Sequence, residues 1–251
     1  FDGDHLLLTR TTNLMFHGEV DMGGNPMTWA LTTGNDERLG GEVPLGGDIR
    51  YTHYGDDWDL LIGSSFYFSN GATGGNSGGV HDWMAKDKYE VLGLYTELNK
   101  GNLKVQLAYY QADHEGTRDG DTINGTDFKD SGLNTRQIER FCDGGTSSCS
   151  ELEANYKVKT WYLRAGYSFE TKMGEFTPYL QWDYYENPET VASKDVGGDN
   201  EAGLADDGKF TKQTLGVVFR PDNALALKLD TSVGLSKLKE LNFNTNLSSN
   251  M

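Results

Sequence analysis

The feature that most constrains this chain is an alternation on two scales. Segment 102–113, NLKVQLAYYQAD, sets Leu103, Val105, Leu107 and Tyr109 on one side and Lys104, Gln106, Ala108 and Tyr110 on the other. A period of two marks a strand rather than a helix. The same period recurs at 11–20, 26–33, 47–54, 58–68, 89–98, 159–170, 174–186, 211–219 and 224–233, with a weaker instance at 241–248, giving about eleven strands. No convincing amphipathic helix accompanies them; 125–141 has room for a short helical turn inside a loop. The connections alternate too. Those at 22–25, 55–57, 99–102, 171–174 and 220–223 are tight and rich in the Gly, Asn, Asp and Pro that hairpin turns require. Between them lie long excursions at 34–47, 70–88, 114–154 and 187–209, and a shorter one at 234–240.

An antiparallel meander with this asymmetry has all its turns at one end and all its long loops at the other. The pattern predicts an all-β fold, a transmembrane up-and-down antiparallel β-barrel with short periplasmic turns and long extracellular loops. Residues 1–251 read as a single barrel domain, incomplete at one or both ends. No run reaches the roughly 18 apolar residues of a membrane helix, so helical spanning is excluded. The opening FDGDHLLLTR has neither a basic n-region nor a cleavage site, and the compartment is read from other features. A net charge of −16 disfavours nucleic acid as a partner, since phosphate binding needs clustered Lys and Arg.

The faces follow from the period. One carries Trp58, Leu60, Ile62, Phe66 and Phe68, the set from Leu103 to Tyr109, Trp161, Leu163, Ala165, Tyr167 and Phe169, and Phe176, Leu180, Trp182 and Tyr184. It continues through Leu215, Val217 and Phe219 to Leu225, Leu227, Leu229 and Val233, and is expected to meet lipid. The other carries Arg50, Lys104, Gln106, Arg164, Gln181, Asp183, Lys228 and Asp230 and is expected to line a watery lumen. Trp58 at one rim, and Tyr109, Tyr110, Tyr184 and Tyr185 near the other, suit aromatic girdles at the headgroups. A soluble β-sandwich or lipocalin-like barrel fits the same string with the faces reversed. Long loops at one end, and strands longer than the usual five to six or so residues, argue against it. Bacterial barrels begin and end in the periplasm with an even strand count. Here the first and the last strand both run downward, so at least one upward strand is expected before Phe1 or within 1–10, and the barrel has at least twelve strands, up to sixteen. The end NLSSNM also lacks a terminal aromatic.

Chemistry-bearing residues point to passage rather than catalysis. Loop 114–154 holds nine acids against four bases, and 187–209 six against two, which reads as a solvated surface or a cation-attracting vestibule. No cofactor is expected; Asp121, Asn124 and Asp127 give only a weak Ca2+ signal, because the spacing misses that of a calcium loop. Cys142 and Cys149, with six residues between them in CDGGTSSC, are expected to form a disulfide that stiffens a long loop in an oxidising compartment. A zinc pair is the rival, with no His nearby in sequence. His5, His17, His53, His81 and His114 are scattered without a catalytic motif, the pair His81–Asp82 being the nearest candidate, so no enzyme is expected. Arg50, Lys104, Arg164 and Lys228, opposed by Glu19, Asp183 and Asp230, would set a mixed field across a pore. Tyr67, Tyr162 and Tyr179 share that face as a stacking track for sugars or as packing.

On PLGGDIRYTHYGDDWDLLIGSSFYFSNG (44–71) and QTLGVVFRPDNALALKLD (213–230) with the trailing LNFNTNLS, the chain resembles Gram-negative outer-membrane porins. The likeness is to the substrate-selective type that includes phosphate- and oligosaccharide-selective porins. It implies a passive diffusion channel for small hydrophilic solutes or ions in the bacterial outer membrane, a homotrimer among lipid and lipopolysaccharide. A long loop, 114–154 or 70–88, would fold into the lumen. No substrate residues carry over, because the phosphate type's cluster of lumen Lys and Arg is not evident. A non-conducting scaffold or adhesin and a barrel enzyme are the other classes.

Overall fold

The computed structural model describes residues 12–35, 43–69, 72–73, 84–118, 153–188, 209–222 and 224–234. Strands β1 (Thr12–Asp21), β2 (Pro26–Asn35), β3 (Leu45–Tyr54), β4 (Trp58–Phe68) and the two-residue β5 (Ala72–Thr73) are followed by β6 (Met84–Lys100) and β7 (Leu103–Arg118). Then come β8 (Glu153–Tyr167), its short continuation β9 (Phe169–Thr171), β10 (Gly174–Glu186), β11 (Lys209–Arg220) and β12 (Leu227–Gly234). All twelve belong to one sheet in the order β1-β2-β3-β4-β6-β7-β8-β10-β11-β12, with β5 on β6 and β9 on β10. Every pairing is antiparallel. The ten segments expected between 11 and 233 are therefore strands; the eleventh, 241–248, lies outside the described residues.

The turns stand together at one end. Gly23 and Gly24 close the first hairpin at φ 74° and 87°, a left-handed pair that only glycine takes without strain. Gly24 N donates to Asp21 Oδ1 at 2.6 Å. Beyond β11, Asp222 Oδ1 accepts from Ala224 N and Leu225 N at 2.8 and 2.9 Å, an Asx turn in RPDN.

Two expectations are corrected. The sheet is open: among the described residues β1 pairs only with β2 and β12 only with β11, so a closed barrel of twelve or more strands is not what these residues form. Strands β6, β7 and β8 also run well past their expected ends at the loop side, to 84, 118 and 153. The outward row there turns from apolar to charged, at Glu90, Asp113 and Lys157, which hides the continuing strands from a reading based on apolar alternation.

Side-chain burial is inverted relative to a soluble sheet. The register puts Leu14, Phe16, Leu31, Ile49, Ile62 and Leu92 on one face with Leu94, Leu107, Leu180, Leu215, Leu227 and Leu229, and every one of these is exposed. Buried side chains lie on the opposite face: Tyr89, Val91, Ala108, Ala112, Tyr156, Val158, Tyr179 and Tyr185, with Asp87, His114, Thr160, Asp183 and Thr214. Burying one such apolar side chain is worth about 1.5–3 kcal/mol, and a domain's net stability is only about 5–15 kcal/mol. A dozen left in water would outweigh that margin.

Glycines on the polar face receive tyrosine rings from neighbouring strands. Gly63 is the register partner of Tyr95, Gly93 of Tyr110, and Gly216 of Tyr179, and in each case an added Cβ would run into the ring. Trp29 covers Gly18 and Phe66 covers Gly47 in the same way on the apolar face. Such cross-strand cover compensates for glycine's missing side chain and pins the register.

Candidate functional site

The nine residues expected to line a pore, Arg50, Lys104, Gln106, Tyr162, Arg164, Tyr179, Asp183, Lys228 and Asp230, share the polar face. Arg50 Nε and Nη2 donate to Asp48 Oδ1 at 3.0 and 2.9 Å, and Tyr95 donates its hydroxyl to Asp48 Oδ2 at 2.6 Å. Next along the sheet, Glu97 collects Lys104 Nζ at 2.7 Å, Gln106 Nε2 at 2.7 Å and Asn99 Nδ2 at 3.1 Å. Arg164 Nε donates to Gln181 Oε1 at 2.7 Å, and Gln181 Nε2 donates to Asp183 Oδ1 at 2.6 Å. Lys228 Nζ lies 2.8 Å from Asp230 Oδ2, which also accepts the Tyr179 hydroxyl at 2.8 Å. Tyr162 stands in register between Ala108 and Asp183. Strand parity thus gathers polar side chains from β3, β6, β7, β8, β10 and β12 onto one wall, with most charges in local pairs.

Two of the nine differ from the rest. Asp183 is only 2% exposed and its Oδ2 has no hydrogen-bond partner among the described residues, so its carboxylate does not face open water. The Tyr179 ring carries the Arg164 guanidinium at 5.5 Å and the Lys228 ammonium at 5.4 Å from its centroid. Being 7% exposed, it offers no free face for a sugar. Tyr67 lies toward the loop end, with its ring centroid 5.9 Å from that of Tyr89.

On the apolar face the chemistry changes in step with height. Leu94, Tyr109, Trp161 and Tyr184 are successive register partners, and the rings of Trp161 and Tyr184 stack at 6.0 Å. One row toward the loops come Leu92, Gln111, Lys159, Glu186 and Lys209, then Glu90, Asp113 and Lys157. Both tyrosines donate upward, Tyr109 to Gln111 Oε1 at 2.9 Å and Tyr184 to Glu186 Oε2 at 3.0 Å. Lys157 pairs with Asp113 at 3.0 Å, and Lys159 and Lys209 each lie 3.8 Å from Glu186. Tyr110 and Tyr185, expected in the same girdle, instead face the polar side. At the turn end the matching row is Phe169, Phe176, Phe219 and Leu227, with Phe176 and Phe219 stacked at 4.3 Å.

The residues missed by sequence reasoning sit on the polar face at the loop end. Asp87 accepts from His114 Nδ1 at 3.0 and 2.9 Å and from the Tyr156 hydroxyl at 2.9 Å, and the Asp87 and His114 side chains are fully buried. The imidazole stacks between Tyr89 at 5.0 Å and Tyr156 at 4.3 Å. Asp87 and His114 lie in the stretches 70–88 and 114–154, expected to be loops, and Tyr156 lies between the second of these and the strand expected from 159. The period of two in Asp87, Tyr89, Val91 and in Ala154, Tyr156, Val158 is the signal that would have found them.

His81, Asp82, Asp121, Asn124, Asp127, Cys142 and Cys149 lie outside the described residues. Among the described residues no group of His, Cys, Asp and Glu is arranged to hold a metal ion. No protein-family model, no curated protein and no solved structure matches the chain.

Proposed function

We propose that this sheet is the wall of a transmembrane β-barrel in the outer membrane of a Gram-negative bacterium, a porin giving small hydrophilic solutes or ions a passive, water-filled route. The observation that carries the reading is the inverted burial, with its exposed apolar band bounded by aromatic rows. Lipid, not water, is the surrounding that makes such a face stable. The dimensions agree: the eleven residues of β4 span about 36 Å at roughly 3.3 Å each. At the usual tilt of about 40° that is about 28 Å of height, against an apolar band of about 25 Å in outer-membrane barrels.

Tyr109 and Tyr184 then meet the headgroups with their hydroxyls toward water, and the Lys159–Glu186–Lys209 row faces lipopolysaccharide. In hydrocarbon the edges of β1 and β12, unpaired among the described residues, require partners, because an unpaired backbone group costs several kcal/mol there. Closure by further strands, and assembly as a homotrimer, belong to this reading. The polar face with its paired ions lines the lumen and supplies orientation and selection by charge, without catalysis.

A second reading, a non-conducting scaffold, is favoured by one observation. On β6, β7 and β8 the polar face becomes a dry cluster at the loop end, with Val158 and Ala112 at 0% exposure. Planar-bilayer recording of the purified protein separates the two. Stepwise openings on the nanosiemens scale are expected, and insertion without any opening would favour the scaffold.

A further inference from the structure

Pro178 stands inside β10, a strand with neighbours on both sides, where a residue without an N–H removes a ladder bond. The β8–β10 ladder stops at Gly166 and Tyr179 and resumes as β9 at Phe169 and Phe176. The β10–β11 ladder runs through Pro178 without a break, so the gap lies on the β8 side. Ser168 N donates to Asn102 O at 2.9 Å, toward β7. Alternation along the strand then aims the Tyr167 N–H and carbonyl at β10. Opposite them is Pro178, so the ladder leaves the Tyr167 carbonyl without a donor. On the polar face Ser168 Oγ and Thr177 Oγ1 hydrogen-bond across the gap at 2.9 Å and close it from that side. On the apolar face it opens into a shallow notch of about 260 Å3, lined by Leu103, Ala165, Tyr167, Pro178, Leu180 and Leu215.

The pair Phe169 and Phe176 stands between this notch and the turn end, which puts the notch within the apolar band. In hydrocarbon, irregular backbone persists only where protein covers it or water lines it. An acyl chain fills such a notch but brings no hydrogen-bond donor. The same chain carries a donor that matches. Tyr51 on β3 lies on the apolar face with Ile49, in register between Met27 and Ile62, and its hydroxyl has no hydrogen-bond partner among the described residues. Tyr51 stands five residues before Asp56 in the β3–β4 turn, and Tyr167 five before Lys172 in the β9–β10 turn. Those turns share one end of the sheet, so hydroxyl and carbonyl sit at matching depth. Strands β4, β6 and β7 separate β3 from β8, so a copy's Tyr51 does not reach its own Tyr167. A donor on one flank and an acceptor on another make a head-to-tail contact, the kind that closes copies into a ring.

We infer that copies of this chain meet through these two patches, the β3 face of one seated on the β8–β10 notch of the next, with the Tyr51 hydroxyl donating to the carbonyl of the partner's Tyr167. This rests on the porin reading above and names the faces of its homotrimer. In the background Cys142→Ser, Cys149→Ser, the double variant Tyr51→Cys, Tyr167→Cys is reconstituted in lipid vesicles and treated with a short bismaleimide. Covalent dimers and trimers on a denaturing gel are expected, while either single cysteine variant gives monomer alone. Tyr51→Phe keeps the ring and loses the hydroxyl, and should raise the monomer fraction in detergent several-fold by light scattering. Cross-linking of Tyr51→Cys by itself would replace the head-to-tail contact with a symmetric one and overturn the assignment. Monomer alone in the double variant, or a Tyr51→Phe protein as oligomeric as the unaltered one, overturns the inference while leaving an open channel in place. Unaltered protein that inserts without conducting, or does not insert, overturns the porin reading itself.

Discussion

Strands β6, β7 and β8 present one face in two different ways. Across their middle and turn end that face is a wet wall: Glu97 and Lys104, at 28% and 51% side-chain exposure, pair beside Gln106 and Arg164. Toward the loop end the same rows carry Val91, Ala112 and Val158 around the buried Asp87, His114 and Tyr156. The strands do not change direction between the two regions, and the period of two runs through both. What changes is the medium. In the wet region a charge can be satisfied by one partner plus water, so pairs are loose and exposed. In the dry region every donor aimed at Asp87 matters, because nothing else can replace it. The difference locates where the polar wall stops meeting water, and it predicts that similar substitutions will have quite different costs along one strand.

The largest effect is expected at Asp87. Replacing it with alanine leaves the Tyr156 hydroxyl and His114 Nδ1 without the acceptor they now share. Breaking a buried hydrogen-bonded pair from one side costs about 3–5 kcal/mol. Urea unfolding of the protein refolded in lipid vesicles would measure it. A loss below about 1 kcal/mol, the range of exposed ion pairs, would mean that the loop end is as wet as the middle and that the contrast is void.

An intermediate effect is expected at Gly93, where the two regions meet. A methyl group there collides with the Tyr110 ring and with Ser65 Oγ. Gly93→Ala should cost about 1–3 kcal/mol, the usual range for overpacking. The double change Gly93→Ala, Tyr110→Ala should recover part of that loss in the same unfolding measurement. A loss that stays the same without the ring would show that Tyr110 is not what fills the space.

The meander, its turn end, its loop end and the two faces were legible in the sequence because each rests on local rules. A period of two assigns faces, and residues such as those of MGGN and RPDN assign turns. Closure was not legible, and the described sheet is open, since pairing between the first and last strands depends on contacts distant in sequence. The site was legible as a set of residues sharing a side, and the nine expected lining residues do share one. Which of them meet water was not legible. Asp183 and Tyr179 have the same parity as Arg50 and Lys104, yet neighbouring side chains bury them. The Asp87–His114–Tyr156 cluster was lost for a related reason. Its strands leave the apolar band on their outward side at Glu90, Asp113 and Lys157, so the cue of alternating hydrophobicity ends before the strands do.

The smallest effect on stability, and the sharpest test of the contrast, is expected at Lys104. Its ammonium is 2.7 Å from Glu97 Oε1, a shorter contact than any around Asp87, and distance alone would rank it the stronger interaction. Exposure reverses that ranking. Half of the Lys104 side chain is in water, and exposed pairs contribute about 0–1 kcal/mol because solvent screens the attraction and the long side chain loses freedom. Glu97 also keeps Gln106 Nε2 and Asn99 Nδ2 as donors when the lysine is gone. Lys104→Gln should therefore leave the unfolding midpoint almost where it was. It should also make the wall one charge more negative, moving the reversal potential in a salt gradient toward cation preference. Unchanged stability with shifted selectivity is the behaviour of a charge facing an open lumen. A loss approaching that of Asp87→Ala would place Lys104 in a dry interior and erase the distinction between the two ends of the wall.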